Sequence, residues 1–307
     1  MRNPQKTHIN KPRLSIDDPK YTDCLSKVYD LIISADQVND NEEDLTTKIA
    51  VTNPSAKSGY QIIAKQKGKI AGITELKFFE KNKKLGSLNI KFFLKDGSAV
   101  KQGQTVATLT GTNSDILKYE RFILNFLQRM SGIATATSEI VQSIAPSSVL
   151  ICPTRKTLWG LLDKKAVLIG GGGTHRLSLQ DGVLVKENHF HANKCDFAES
   201  LEHIVKTYKN QSRFIEIEVE NMAEVKQAAS AINKLKNPCL LLDNFTPNQA
   251  AAAIKHLRQN HPNIIVEISG GITPKNLKKY AALKPDIISM GYLTNTPHTV
   301  DISMRGI

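Results

Sequence analysis

The stretch FIEIEVENMAEVKQAASAINKLKNPCLLLDNF, Phe214 to Phe245, decides the fold class. It opens on an apolar run rich in β-branched residues, passes through an amphipathic segment, and returns to an apolar run at Cys239–Leu242. Similar runs recur at Val149–Ile151, Val183–Val185, Ile264–Ile268 and Ile287–Met290, with helical patterns of about ten to fifteen residues between the later ones. Such alternation predicts an α/β chain, a parallel sheet with crossover helices, open or closed into a barrel. The residue that ends each run then matters most, because these sheets bind ligands at the C-terminal ends of their strands. Those positions hold Lys186, Glu218 with Glu220, Asp243, Ser269-Gly270-Gly271 and Gly291. Packing has no use for so many in succession. The glycine turns in ISGGITP and SMGYLT fall on the last two strands, where a (β/α) barrel commonly holds a phosphate on backbone N–H groups. Glu218 and Asp243 beside such a cradle suit Mg²⁺, or positive charge developing on a sugar ring. That is equipment for glycosyl-bond chemistry on a phosphorylated ribose.

Upstream, Cys152 to His191 reads CPTRKTLWGLLDKKAVLIGGGGTHRLSLQDGVLVKENHFH. It places Arg155, Lys156, His175, Arg176 and Lys186 around four consecutive glycines, Gly170 to Gly173. A solvated basic face would scatter its cations at helical spacing with carboxylates between them. These cations sit beside glycines and at the ends of apolar runs, where backbone can approach a ligand. Arg presents a planar fork to carboxylate or phosphate, and Lys adds a point charge. The pattern predicts a small, heavily charged anion as ligand.

Before residue 147 the rhythm differs. Met1 to Pro19 is polar with three prolines and reads as a loose arm. Tyr21 to Ala35 sets Leu25, Val28, Leu31 and Ile32 on one helical face. Asn39 to Asp44 reads as an acidic loop, followed by a short strand. From Gly59 to Gly111 the period shortens to two, with turns at Lys67-Gly68, Asp96-Gly97 and Gln102-Gly103. LKDGSAVKQGQTVATLTG resembles the β-sandwich of lipoyl-type domains, in architecture only. The Lys81, Lys83, Lys84 cluster reads as a solvated face. Ser114 suits an N-cap for DILKYERFILNFLQRM, with Leu117, Leu124, Leu127 and Met130 buried and Arg121 off that stripe. Ser131-Gly132 is expected to break the helix before a second one.

The balance of 41 basic against 29 acidic residues gives a net charge of +12. That charge fits nucleic acid, an anionic surface or an anionic substrate. Aromatic residues are only 6% of the chain, too few for stacking along a single strand of nucleic acid. The four cysteines are far apart with no CxxC, which predicts reduced thiols in a cytoplasmic protein. No apolar run of about 18 residues occurs, so a soluble protein without a membrane partner is expected.

ERFILNFLQRMSGIATAT, TRKT, GGGGTHRLSLQDGVLVKENH, IEIEVEN, LLDNF, ISGGIT and GYLT…DIS occur in that order between Asp44 and Ser303. Together they resemble the quinolinate phosphoribosyltransferase family. The resemblance implies an incomplete (β/α) barrel of about six parallel strands plus an N-terminal α+β sandwich domain. In residues, that is a sandwich domain at 1–130 with a lipoyl-like β region at 59–111, a barrel at 131–295, and a tail at 296–307 returning to the first domain. It implies the reaction of quinolinate with phosphoribosyl pyrophosphate to give nicotinate mononucleotide, pyrophosphate and CO₂, with Mg²⁺, in NAD biosynthesis. It also implies a homodimer, or a higher oligomer, in which one subunit's N-terminal domain covers the other's barrel mouth.

By the same resemblance, Arg121 reaches across the dimer toward quinolinate, and Arg155, His175 and Arg176, with Thr154 of TRKT, line the dicarboxylate pocket. Lys156 and Lys186 bridge the carboxylate and the pyrophosphate end. Glu218 and Asp243 hold the ribose hydroxyls and the metal. Ser269, Gly270, Gly271 and Gly291 hold the 5-phosphate. Lys156, Lys186, Glu218 and Asp243 are the expected catalytic residues. The chain departs from the family at Pro153 (usually Asp), at Leu158-Trp159-Gly160-Leu161-Leu162 (usually Thr-Pro-Gly-x-Arg), at Thr174 (usually Asn) and at Asn295 (usually His).

Three other readings stand beside this one. A related transferase for another carboxylated base would share every motif. A metal-dependent hydrolase would use His189 and His191, an HxH pair, with His175 and Asp243. A nucleic-acid-binding module has only the net charge behind it. Cys152 has cations beside it that favour a thiolate, but none of these reactions needs one.

Overall fold

A computed structural model describes residues 3–36, 44–296 and 298–307. The chain forms two compact units that do not follow chain order. One comprises residues 1–10, 139–156 and 172–295; the other comprises 11–138, 157–171 and 296–307.

The second unit is built on antiparallel strands. They are β1 (Lys57–Ala64), β2 (Gly68–Lys69), β3 (Asn89–Phe92), β4 (Ala99–Val100) and β5 (Thr105–Thr112). The period-two sequence buries Ile62, Ala64, Ala107 and Leu109 on the packed side. The last strand of the chain, Ile302–Gly306, adds antiparallel to β1, with Ile62 opposite Met304. Asp96 caps the helix Ile73–Lys81 by accepting from the N–H groups of Ile73 and Thr74 (2.9 and 3.1 Å). Tyr29, Phe79, Phe122 and Phe126 form the aromatic centre, with neighbouring centroids 4.9 to 5.8 Å apart.

Several expectations for this region need correction. In the helix Pro19–Asp36 the buried stripe is Tyr21, Leu25, Val28 and Tyr29, while Leu31 is exposed. Tyr21 donates its hydroxyl to buried Glu75 (2.7 Å), and a polar tip of that kind is invisible to a hydrophobic count. Residues 39–43 of the acidic loop lie outside the described residues. Asp44 is followed by a helix, Leu45–Ala50, rather than a strand: its carboxylate accepts from Thr46 N and Thr47 N and caps the turn. Leu117 is only half-buried, and Ile116 takes its place in the core.

The expected break at Ser131-Gly132 does not occur. One helix runs from Asn113 to Ser143. A Cβ on Gly132 would stand 2.1 Å from the carbonyl oxygen of His298, so this glycine admits a neighbouring backbone. Thr7, His8 and Leu14 of the expected loose arm are buried, and Pro4–His8 is a short helix.

The first unit carries six parallel strands, β6 (Leu150–Pro153), β7 (Val183–Val185), β8 (Ile215–Val219), β9 (Pro238–Asp243), β10 (Ile265–Ser269) and β11 (Ile287–Met290). Their order is β6-β11-β10-β9-β8-β7, with no hydrogen-bonded closure between β6 and β7. The sheet is thus an incomplete barrel. All six strands fall on the apolar runs of the sequence.

Alternation along the strands sorts the inner face into layers. Leu150, Cys152, Phe214, Cys239, Ile265 and Ile287 form an apolar floor on which Ile9 packs. Two residues further along their strands come Glu216, Leu241, Glu267 and Ser289, all buried, and the register sets Leu184 beside Glu216. Two further still come Glu218, Asp243, Ser269 and Gly291, at the C-terminal strand ends.

Candidate active site

The uppermost inward positions carry the charge. Lys186 directly follows β7, and its ammonium donates to the Glu218 carboxylate at the end of β8. The Lys186 side chain is 42% exposed and that of Glu218 10%, so the pair is open to solvent on the cation's side. Lys186 also starts the helix Glu187–Asn193, where its backbone N–H donates to His189 Nδ1 (3.0 Å). His189 is therefore a helix cap. His191 lies two residues on, about 200° around the helix, so the pair does not converge on one ion as a strand-borne HxH would.

Asp243 ends β9 and accepts from the Asn244 amide (2.7 Å). Asn244 adopts φ +55, and its backbone N–H donates to the Ser269 carbonyl (3.0 Å), tying the tips of β9 and β10 together. Gly270 and Gly271 follow with φ +88 and +59, a left-handed pair that favours glycine. A Cβ on Gly270 would strike the Asn244 side chain, at 2.2 Å from its Oδ1, whereas Gly271 faces open space. Gly291 opens toward Thr154 Oγ1 and Lys156, with 3.7 and 4.0 Å to an added Cβ. Thr154 Oγ1 accepts from Lys156 N (3.2 Å) and Thr294 Oγ1 donates to Lys156 O (2.8 Å), which fixes the loop after β6. Arg155 and Lys156 are exposed.

Carboxylates gather at the same level. The exposed Glu220 is pushed up by partial burial and then by Glu187, Glu224, Asp243 and Glu218. The cations crowd as well. Arg176 is buried and donates toward Gly182 O (3.4 Å); its pKa is lowered by burial and by Arg155, against Glu216 and Glu218.

His175 occupies a different place from the one its motif suggested. It is buried one layer lower, with Nε2 3.2 Å from Glu267 and 3.3 Å from Glu216. Its backbone sits at φ +50, and its Nδ1 accepts the Arg176 N–H (2.7 Å). Burial opposes a charged ring, while Glu267 and Glu216 favour it and prevail, raising its pKa to about 9. In this geometry, however, Nδ1 has no room for a second proton without losing the Arg176 bond. The neutral ring with the proton on Nε2 is therefore the form the contacts describe.

Two of the four glycines pack against neighbouring chain, while Gly171, at φ +102, faces open space. A Cβ on Gly170 would meet Thr137, and one on Gly173 would meet Cys152 Sγ, at 2.5 and 2.6 Å. Arg121 lies exposed on the helix Asn113–Ser143, in the other compact unit.

The altered segment after TRKT is organised by Asp163, which motif reading missed. Fully buried, its carboxylate takes a two-pronged bond from Arg129 (2.9 and 2.7 Å). It also accepts from the Thr157 hydroxyl and from the N–H groups of Leu158 and Trp159 (3.1 Å each). Trp159 stacks on Phe126, with the Arg129 guanidinium 5.1 Å from its ring. Asp163→Ala leaves Arg129 and three donors without an acceptor, and is expected to destabilise the protein by about 3–5 kcal/mol. Urea unfolding followed by Trp159 fluorescence measures this; a loss under about 1 kcal/mol would show that the network contributes little.

Cations, carboxylates and a glycine turn stand together at the C-terminal mouth of an incomplete parallel barrel, the face on which enzymes of this architecture carry their active sites. The family description "Quinolinate phosphoribosyl transferase, C-terminal domain" matches residues 133–305, and its N-terminal counterpart matches 44–131. The chain belongs to the quinolinate phosphoribosyl transferase family. It is 36% identical over 250 residues to a "Probable nicotinate-nucleotide pyrophosphorylase [carboxylating]" of Archaeoglobus fulgidus, covering 80% of this chain and 92% of that protein. It is 32% identical to a Nicotiana tabacum "Quinolinate phosphoribosyltransferase [decarboxylating] 2a, mitochondrial", covering 92% and 82%. The solved nicotinate-nucleotide pyrophosphorylase of Francisella tularensis superposes with a TM-score of 0.80 at 27% identity, over 93% of this chain and 96% of that one. Among the described residues no helix is long and apolar enough to cross a membrane.

Proposed function

We propose that the barrel unit joins quinolinate to phosphoribosyl pyrophosphate, releasing pyrophosphate and CO₂ and leaving nicotinate mononucleotide. The observation that carries this is the Lys186–Glu218 pair beside Asp243, with Arg176 and Arg155 crowded together nearby. A dicarboxylate base needs such a concentration of cations, and a ribose cation needs the carboxylates. The pyridine nitrogen forms a bond to ribose C1 as the C1–oxygen bond to pyrophosphate breaks. Glu218 and Asp243 stabilise the positive charge that develops on the ring. The C2–carboxylate bond then breaks, CO₂ leaves, and the electron pair left on C2 takes a proton. Lys186, Lys156 and Arg176 stabilise the anionic groups throughout, and the Ser269–Gly271 turn with Gly291 holds the 5-phosphate.

Mg²⁺ fits this donor set in part. Glu218 and Asp243 offer hard oxygens but too few to enclose an ion, which suits a cation that keeps water and substrate phosphates as ligands. When bound it would neutralise pyrophosphate charge. The decisive experiment incubates purified protein with quinolinate, phosphoribosyl pyrophosphate and Mg²⁺ and assays nicotinate mononucleotide and CO₂. Formation of neither would refute the assignment.

A homodimer completed in trans is part of the reading. Arg121 is an exposed cation on a helix of the other unit, at the position the family resemblance assigns to the partner's site. Mixing inactive Arg121→Ala with inactive Lys186→Ala subunits is expected to restore activity, because each hybrid dimer retains one intact site. No recovery after verified subunit exchange would rule this arrangement out. A cytoplasmic location accords with the four free cysteines.

A further inference from the structure

Beneath the active-site layer, buried acceptors outnumber the donors that face them. Among the described residues, neither oxygen of Glu216, neither oxygen of Glu267, nor Nε2 of His8 makes a hydrogen bond of good geometry. His8, Glu216 and Glu267 are fully buried and His175 nearly so. One ligand atom from each of the four residues lies within 4.8 Å of all the others. His8 Nδ1 is 2.8 Å from Thr7 Oγ1, whose own proton is directed to the Asn3 and Pro4 carbonyls. With the Thr7 proton on those carbonyls, Nδ1 carries the His8 proton, and Nε2 presents a lone pair 3.9 Å from Glu267. His175 Nε2–H stands between the two carboxylates, and the Ser289 side chain is a second donor, to Glu267 alone. Buried acceptors facing one another are costly unless something positive stands between them.

We propose that this cluster is a closed transition-metal site, holding one divalent first-row ion, Zn²⁺ by preference, through His8 Nε2, Glu216 and Glu267, with His175 as the outer donor that orients the carboxylates. Two carboxylates and a neutral imidazole balance the charge of a divalent ion, so the interior becomes neutral. An imidazole with two carboxylates suits Zn²⁺ and its neighbours, and a pocket this dry is a poor host for Mg²⁺, which keeps its waters. Bonds of about 2.0–2.2 Å place tetrahedral ligand atoms roughly 3.4 Å apart, so the 3.9 Å between His8 and Glu267 needs only a few tenths of closure. Ligating carboxylates are themselves hydrogen-bonded in such sites, the part His175 Nε2–H would play here.

This site is distinct from the catalytic layer. Glu216 and Glu267 lie two residues before Glu218 and Ser269 on their strands and point into the closed interior. His8 comes from the N-terminal arm, ahead of the matched range 44–131. The arm is held against the barrel unit by backbone. The N–H groups of Thr174 and His175 donate to His8 O (2.8 and 3.0 Å), and Arg213 donates to Ile9 O (3.0 Å). Thr174, one of the departures from the family, also accepts from Asn10 N (3.1 Å). Opening of residues 3–10 would be the ion's way in, and the bound ion would fasten the arm.

The test titrates metal-stripped, full-length protein with Zn²⁺ and with Co²⁺, in excess Mg²⁺ so that exposed carboxylates are occupied. About one Zn²⁺ per chain is expected to survive desalting and to raise Tm, with Co²⁺ giving the visible absorption of low coordination. His8→Ala and the isosteric Glu216→Gln are each expected to weaken Zn²⁺ binding by more than about 100-fold, beyond what loss of an outer-shell partner causes. Asp243→Asn should retain the ion. The proposal is overturned if no stoichiometric Zn²⁺ is retained, since protons then satisfy the carboxylates. It is equally overturned if folded His8→Ala and Glu216→Gln bind as wild type, or if retention follows Asp243 instead.

Discussion

With phosphoribosyl pyrophosphate and Mg²⁺ fixed, kcat/KM for quinolinate is expected to exceed that for nicotinate by about 10⁴-fold or more. The reason lies in the cations. Arg176 is buried beside Arg155, and the two repel, which lowers the Arg176 pKa after the effect of burial itself. A dicarboxylate would neutralise that repulsion, and in the proposed reaction its C2 carboxylate would be met by Lys186. Nicotinate lacks this carboxylate and would leave the repulsion on the buried Arg176 half-neutralised. Losing one partner of a buried charge pair costs about 2–5 kcal/mol, and the loss falls on the transition state as well as the ground state. Leu158 and Trp159 replace the family's usual Thr-Pro but neither add nor remove a charge, and Asp163 pins their backbone inside the other unit. They leave the preferred anion unchanged. Comparable values for the two acids, or a preference for nicotinate, would overturn the quinolinate assignment while leaving the transferase fold in place.

Asp243→Asn is expected to lower kcat by about 10²-fold or more with a small change in the KM for quinolinate. Asp243 is half-buried at a strand tip, held by the Asn244 amide and close enough to Glu220 to raise its pKa. Carboxylates crowded in this way are unfavourable in the resting protein and become favourable when positive charge develops between them. Asparagine keeps the shape and removes the charge, so the loss should appear in turnover. Glu218→Gln should act in the same direction, with the added effect of releasing Lys186. Steady-state kinetics in both substrates separate the roles. An unchanged kcat with only the quinolinate KM raised would place Asp243 in base binding instead.

Much of the barrel could be read from the chain because a buried parallel strand leaves a local mark. Val183–Val185 and Ile287–Met290 are apolar and β-branched whatever surrounds them, and both strands lie on those residues. Strand-end chemistry is also local, since Glu218, Asp243 and Ser269 follow from where each run stops. The N-terminal part was less readable for equally physical reasons. Gly132 looks like a helix breaker until the His298 carbonyl is seen against it. Asp44 caps a helix six residues long, too short to show a period.

The sequence by itself determined the class of fold, the order of its strands along the chain, and which charged residues stand at their ends. Those depend on periods of two and 3.6 and on residue types within a few positions of one another. Only the tertiary structure decided how the strands pair, that the helix continues past Gly132, that Asp163 anchors the loop after TRKT through Arg129, and that His175 turns down onto Glu216 and Glu267. It alone brought His8 to those glutamates, from 208 and 259 residues away (216 − 8 and 267 − 8). Contacts across such separations leave no periodic trace, because each partner's identity answers to a neighbour that the local sequence does not contain.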